Sequence, residues 1–309
     1  MIKLALIALG IFLAIGLPFI NPVTIPFQGF LLFAGILLLG IPHGAADQLV
    51  SQQTAYNRGC EFSESQFFRG YIGRLLLFAC LFYLFPLTAN LLFLVLSAYH
   101  FGETDLNDYK SDTVFGKILA FADGILIISV ILISHLDVLQ PIYLFAHVDE
   151  QKFFSTEWFK INQMVLIASI SLTFCILLIT HHIYSGARRR LGIFYIMQLL
   201  AILFVVTQLP LLLAFLFYFV AWHSFLSIAN IVTYLKKDGM FSSGSIIRQL
   251  VKNTLIVYAG ISCIAILSYM IFKDKNPGGY LFIALALLTA PHLPIMHQMY
   301  KATSLDKRI

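Results

Sequence analysis

Four of the nine histidines in this 309-residue chain fall inside long apolar stretches, namely His43, His100, His223 and His292. An ionisable side chain inside a membrane-spanning helix is costly unless it faces a partner, a water-filled cavity or a metal ion. Imidazole is a common metal ligand. A ligand set of imidazoles favours iron, zinc, copper or nickel, whereas calcium and magnesium require oxygen ligands. These residues therefore predict a metal centre buried among apolar helices.

Carboxylates lie close to two of these histidines. Asp47 follows His43 by four residues, which puts both on one face of a helix. Glu103 and Asp105 follow His100 by three and five residues. A metal-bound histidine usually donates its second ring N–H to a carboxylate or a carbonyl, so we expect these three acids to support the ligands. A proton relay would use the same residue types, and the pairing does not distinguish the two.

The composition indicates which elements carry these side chains. Hydrophobic residues make up 60% of the chain and charged residues 11%, whereas soluble domains are about one-quarter charged. We predict an all-α, multi-pass membrane protein with a single integral membrane domain over residues 1–309. The apolar runs predict about ten transmembrane helices in one bundle, over residues 2–20, 28–47, 70–86, 88–105, 114–134, 163–184, 191–207, 210–234, 250–272 and 279–300.

The distribution of basic residues predicts the orientation of these helices. With the N-terminus inside, 16 of the 20 lysines and arginines fall on the inner side, as the positive-inside rule requires. Both termini are therefore predicted to be cytoplasmic, in the inner cell membrane. The net charge of +5 follows from this topology, and we predict no nucleic-acid partner. The long outer segment 137–160 is predicted to lie along the membrane interface.

This topology predicts that the four apolar-embedded histidines lie at one depth. They fall on four helices that run in the same direction, roughly 12 to 15 residues from the outer end, or about 18–22 Å. One shared site explains the coincidence, whereas helix–helix hydrogen bonding is the alternative for each histidine alone. His297 follows His292 by five residues and would join the same site only if the helix breaks at Pro294.

Four segments around these histidines resemble the motif blocks of a known family. The segments are GIPHGAADQLV, SAYHFGETDL, FYFVAWHSFLSI and APHLPIMHQMY, beginning at residues 40, 97, 217 and 290. They resemble the Brp/Blh family of membrane β-carotene 15,15′-dioxygenases. The resemblance implies that O₂ cleaves the central double bond of β-carotene to give two molecules of retinal, at a histidine-ligated Fe(II). A rhodopsin that receives the retinal is a partner implied by the family alone.

The resemblance also implies roles for individual residues. His43, His100 and His223 match the family's iron ligands and are the expected catalytic residues. Family members carry a second histidine one helical turn after the Trp-His pair, and Ser227 occupies that position here. Either His292 or His297 completes the site, or three histidines suffice, or the activity has drifted. In the metal set we include His292, and we expect Ser227 and His297 to lie beside the ligands.

Aromatic side chains flank the histidines and are expected to line the path of a hydrocarbon substrate that enters from the bilayer. They are Tyr99, Phe101, Tyr218, Phe219 and Trp222. Ordinary core or lipid-facing packing is the alternative for each of them.

Three other functions are compatible with parts of the pattern. A lipid desaturase or hydroxylase would use more histidines, in HxxxH and HxxHH blocks. A proton or metal-ion transporter would use the His/Asp pairs as a relay, although no inverted repeat is evident. A structural or assembly protein with a degenerate site is the third alternative, and Ser227 is the feature that favours it.

Overall fold

The computed structural model describes residues 2–19, 24–107, 113–136, 138, 156–184, 192–272 and 277–306. These residues are almost entirely helical, and no strand occurs among them. The all-α prediction is therefore confirmed for the part of the chain that is described. Most of the predicted interfacial segment, residues 137–160, lies outside the described residues.

Thirteen α-helices and two π-helices follow one another within the described ranges. They are α1 (Ile2–Gly16), α2 (Ile25–Gly35), π1 (Ile36–Gly40), α3 (Ile41–Ala45), α4 (Asp47–Asn57), α5 (Glu64–Leu84), α6 (Pro86–Asp105), α7 (Val114–Ile133), α8 (Thr156–Tyr184), α9 (Ile193–Gln208), α10 (Leu211–Phe215), π2 (Leu216–Ser224), α11 (Phe225–Lys236), α12 (Ser243–Phe272) and α13 (Pro277–Asp306).

Six helical stretches in the described residues are long and apolar enough to cross a membrane. They are Ile2–Phe19, Ile25–Asn57, Glu64–Leu84, Val114–Ile133, Lys160–Tyr184 and Leu211–Lys236. The helix Ile193–Gln208 is apolar but shorter. Helices account for most of the described residues in each of the ten predicted segments, whereas the count of ten spans and the orientation of the termini remain predictions.

The two π-helices directly precede or contain a histidine of interest. Helix π1 ends at Gly40, three residues before His43, and π2 contains His223. Pro42 has no N–H to donate and its ring crowds the carbonyl four residues earlier, so one α-helical hydrogen bond is lost at this point. The wider turn of π1 accommodates this proline. Short π-helical segments within α-helices are frequent at functional sites.

The described chain divides into two compact units. The first comprises residues 2–40, 98–136 and 156–226. Within it α7 packs on α8, α1 on α9, α2 on α10, and π1 on π2. The interior of this unit includes Leu126, Ile127, Tyr195, Ile202 and Val205, all nearly inaccessible to solvent.

The second unit comprises residues 41–97 and 227–306 of the described chain. Helix α13 packs on α4 and α5, and α12 packs on α3. The core contains Leu49, Val50, Leu235, Met296 and Tyr300. A smaller cluster forms around Phe78, Ala286 and Leu287. The single domain predicted over residues 1–309 remains a prediction.

Candidate metal centre

His100 and His223 form a pair of buried imidazoles within the first unit. Their ring centroids are 4.7 Å apart and the rings meet edge to face at 77°. The ring of Phe101 lies 4.5 Å from that of His223, and Phe219 stacks nearly parallel to His223 at 6.1 Å. Both histidines are at most 2% exposed. The pair is thus enclosed by aromatic rings and shielded from water.

Asp105 holds the segment that carries His223. Its carboxylate accepts one hydrogen bond from the Tyr218 hydroxyl and one from the Trp222 indole N–H, each 2.9 Å long. All three side chains are buried, and a buried carboxylate is costly unless it is hydrogen-bonded. Tyr218 and Trp222 both belong to π2. The two bonds therefore fix π2, and with it His223, to the end of α6.

The position of His100 depends on the close approach of α6 and α7. A Cβ atom on Gly102 would overlap the carbonyl oxygen of Ala120, and a Cβ on Gly124 would overlap that of Ala98. Each helix thus presents a glycine to the backbone of the other. His100 lies between Ala98 and Gly102, so this contact between the two backbones fixes the position of the His100 backbone, from which the imidazole extends.

His43 and His292 form a second pair, within the second unit. Their ring centroids are 4.9 Å apart, at 84°. The Nδ1 atom of His292 lies 2.7 Å from Oδ1 of Asp47. An ionised carboxylate can only accept, so Nδ1 carries the proton, and the neutral ring keeps its lone pair on Nε2. Asp47, predicted to support a ligand, thus forms its hydrogen bond with His292.

Each unit brings two of the four predicted ligands together, His100 with His223 in the first unit and His43 with His292 in the second. All four residues are buried. Imidazoles without a carboxylate suit iron, zinc, copper or nickel, so these histidines could hold a metal ion.

The part of the chain that carries these histidines matches a family of known proteins. The family model described as beta-carotene 15,15′-dioxygenase matches residues 34–300. The chain belongs to this family. The membership confirms the resemblance carried by the histidine segments, and the match includes all four histidines. No curated protein and no solved structure matches the chain.

Two further residues of the predicted beta-carotene 15,15′-dioxygenase site lie on α11 and α13. Ser227 is fully buried, and its hydroxyl has no hydrogen-bond partner within the described ranges. His297 is half-buried. Helix α13 continues through Pro291 and Pro294, so the break that would turn His297 towards His292 is not present. Ser227 is thus enclosed in protein, whereas His297 remains turned away along an intact helix.

The five predicted substrate-binding aromatics differ in their surroundings. Phe101 and Phe219 contact the imidazole of His223 directly. Tyr218 and Trp222 direct their polar ends to Asp105. Tyr99 is half-buried on α6. Two of the five rings therefore border a candidate ligand, and two others have their polar groups engaged in holding π2.

Glu103 and Asp105 follow His100 on α6 by three and five residues, and both are buried. Asp105 makes its hydrogen bonds with the aromatic side chains of π2. Both carboxylates are thus inside the protein. Asp105 was expected to support a histidine, but its hydrogen-bond partners are Tyr218 and Trp222.

One buried acid near this site was missed by the sequence reasoning. Asp123 on α7 is completely buried and accepts a hydrogen bond from the Tyr195 hydroxyl. The signal was available as a single carboxylate in the apolar run LAFADGILII. His181 on α8 is also buried, and its ring stacks on that of Phe115 with the two centroids 6.0 Å apart.

Proposed function

We propose that this protein cleaves β-carotene with O₂ at its central 15,15′ double bond and releases two molecules of retinal. Family membership over residues 34–300 supports the reaction class. The observation that carries the proposal for this chain is the burial and pairing of its four histidines, His100 with His223 and His43 with His292. We further propose that the protein resides in the inner cell membrane and takes its substrate from the lipid bilayer.

The donor set fits Fe(II). The proposed ligand triad His43, His100 and His223 would supply three neutral nitrogens and no anionic ligand, and His292, whose ring contacts His43, is proposed as a fourth. An iron ion bound by these residues would supply redox chemistry towards O₂. The chain's own task is to hold the imidazoles in the correct tautomer, as Asp47 does for His292.

The surroundings of the histidines suit a hydrocarbon substrate. β-Carotene has no polar group, so its recognition depends on shape and apolar contact. Phe101 and Phe219 border His223, and we propose that these rings pack against the polyene. A dry, aromatic enclosure also keeps water away from reactive species while the double bond is broken.

Trp222 and Tyr218 are proposed to act through position. Their hydrogen bonds to Asp105 hold π2 in place, and the Phe219 ring follows Tyr218 directly. A shift of π2 would displace His223 and Phe219 together. This coupling explains why a carboxylate that touches no histidine would still matter for cleavage.

We propose that His292 serves as the fourth ligand, in place of the histidine that family members carry at the position of Ser227. The Ser227 hydroxyl is buried, and a hydroxyl is a poorer ligand for Fe(II) than an imidazole. His292, with its proton fixed on Nδ1 by Asp47, offers the missing nitrogen. A rhodopsin that accepts the retinal is a further proposal, which rests on the family.

The test is expression in a bacterium engineered to accumulate β-carotene, with retinal measured by chromatography. We expect retinal from the wild type and none from His43→Ala, His100→Ala or His223→Ala. His182→Ala is the matched control, because His182 is exposed at the end of α8, and it should retain full activity. Iron analysis of the purified proteins should show bound iron in the wild type and in His182→Ala and less iron in the three ligand variants.

The possible outcomes separate the proposed function from its alternatives. Full activity in any triad variant would refute the ligand assignment. Unchanged carotene with the wild-type protein present in the membrane and loaded with iron would point to another substrate. Unchanged carotene together with proton or metal flux in proteoliposomes would favour a transporter.

A further inference from the structure

A cavity of about 280 Å³ lies within the second unit, where α4 ends, α5 begins and α13 passes beside them. Arg58, at the end of α4, and Arg74, on α5, both line it. Its apolar wall includes Phe67 and Ile295. Neither the metal centre nor the proposed reaction uses this cavity.

The charged residues that line the cavity are both basic. None of its lining residues is acidic. Neither Arg58 nor Arg74 forms an ion pair with any residue in the described parts of the chain. Two guanidinium groups from separate helices that face one cavity without a counter-ion favour an anion as the occupant. Gln66 and Gln298 line the same cavity and add amide hydrogen-bond donors.

The predicted location of the cavity, at the cytoplasmic side of the membrane, favours the headgroup of an anionic lipid as the anion. Arg74 precedes the apolar run LLLFACLFYL of α5, so it lies where the helix enters the hydrocarbon region. The predicted topology puts this end of α5 on the cytoplasmic side, where anionic lipids are abundant. Basic pockets between helices on that side commonly bind lipid headgroups, and arginine suits phosphate because its planar fork binds two oxygens at once.

We propose that this cavity binds the phosphate headgroup of an anionic phospholipid. Arg58 and Arg74 hold the phosphate from two sides, and the first carbons of the lipid pack against Phe67 and Ile295. The lipid thus joins α4, α5 and α13 at their inner ends. This inference is independent of carotene cleavage and of the metal.

Native mass spectrometry of the purified full-length protein in detergent tests the proposal. The probes are phosphatidylglycerol and phosphatidylcholine with identical acyl chains. We expect the wild type to bind one phosphatidylglycerol in clear preference to phosphatidylcholine. The double variant Arg58→Gln, Arg74→Gln should bind phosphatidylglycerol about 30-fold more weakly, because each basic residue near an anionic membrane surface contributes roughly fivefold.

Arg69→Gln is the matched control. Arg69 lies on the same helix, is exposed, and does not line the cavity, and its Nε donates to the Ser65 carbonyl. It should bind the lipid as the wild type does. The double variant Arg58→Lys, Arg74→Lys keeps the charge but loses the fork, and its affinity should fall between those of the wild type and the glutamine variant.

Three results would overturn the proposal. One is wild-type affinity in the glutamine variant. Another is an equal loss in Arg69→Gln, which would make the effect one of net charge alone. The last is displacement of the lipid by millimolar inorganic phosphate, which would make a free anion the occupant. The replaced arginines are exposed and lack ion pairs in the described chain, so the variants should keep the helical circular dichroism of the wild type.

Discussion

His292 donates a hydrogen bond from Nδ1 to the carboxylate of Asp47 over 2.7 Å, between residues 245 positions apart in the sequence. Both side chains are buried. The bond fixes which imidazole nitrogen can bind a metal and links the start of α4 to the middle of α13. It is the carboxylate–histidine pairing expected around a metal centre.

Removal of this carboxylate should weaken metal binding. We expect Asp47→Ala to lower the iron affinity about 10- to 100-fold, since loss of the partner that orients a ligand has effects of that size. Asp47→Asn should retain part of the affinity, because an amide oxygen can still accept from Nδ1. Iron titration of the purified apoprotein measures both.

The control for this prediction is Asp238→Ala, which removes an exposed aspartate near Gln53. Its iron affinity should equal that of the wild type. Equal affinities in Asp47→Ala and Asp238→Ala would mean that His292 binds no metal or needs no orientation.

The hydrogen bonds to Asp105 should stabilise the fold as well as the site. Tyr218→Phe leaves the buried carboxylate with one donor fewer, so we expect the free energy of unfolding to fall by about 1–3 kcal/mol. Tyr184→Phe, at a largely exposed tyrosine, is the matched control and should change it by less than about 0.5 kcal/mol. Denaturant unfolding followed by circular dichroism gives both values.

Tyr218→Phe should also change the site. If π2 shifts, the nitrosyl complex of the bound iron should give an altered electron paramagnetic resonance spectrum, whereas a purely structural role would leave that spectrum unchanged. A variant that is as stable as the wild type and has the same spectrum would contradict the role assigned to Asp105.

The sequence was sufficient to find the histidines but not their partners. Apolar runs and the cost of polar groups inside a membrane identified His43, His100, His223 and His292. The hydrogen-bond partner of Asp47 could not be predicted from the sequence, because α3 ends at Ala45 and α4 begins at Asp47. The spacing of four residues therefore does not describe one unbroken helix, and the carboxylate bonds to a side chain far away in sequence.

The π-helices and the buried acids limited the prediction in other ways. A proline at residue 42 indicates a local departure from α-helix, but no comparable signal marks Leu216–Ser224. The partners of Asp105 and Asp123 come from other helices. Such pairs depend on helix packing, which hydrophobic periodicity alone does not specify.

The close contact between α6 and α7 predicts that alanine substitution has different effects on stability at two glycines next to candidate ligands. Gly102→Ala would drive its methyl group into the Ala120 carbonyl, and we expect a loss of at least about 1–3 kcal/mol of stability. Nothing lies within 4 Å of a Cβ on Gly44. Gly44→Ala should therefore be neutral or stabilising by up to about 1 kcal/mol, because alanine favours helix.

Thermal unfolding of the two glycine variants measures this difference, and retinal formation measures its effect on His100. We expect Gly102→Ala to lose activity and Gly44→Ala to keep it. A Gly102→Ala protein with wild-type stability and activity would show that α6 and α7 do not rely on this contact.

The Ser227 position provides the most direct test of how the fourth ligand is supplied. Ser227 follows His223 by four residues, is fully buried, and has a hydroxyl without a hydrogen-bond partner among the described residues. If His292 has taken over the ligand role, His292→Ala should lose iron affinity. The double variant His292→Ala, Ser227→His should then regain it, because the new imidazole lies one turn from His223.

Iron content and retinal formation in the single and double variants decide the matter, and His292→Ala, Ser227→Ala controls for the loss of the hydroxyl. Restored iron in the histidine double variant alone would establish that the two positions serve one centre. A His292→Ala protein with full iron affinity would instead mean that three histidines suffice, because the triad His43, His100 and His223 would then hold the metal without a fourth nitrogen.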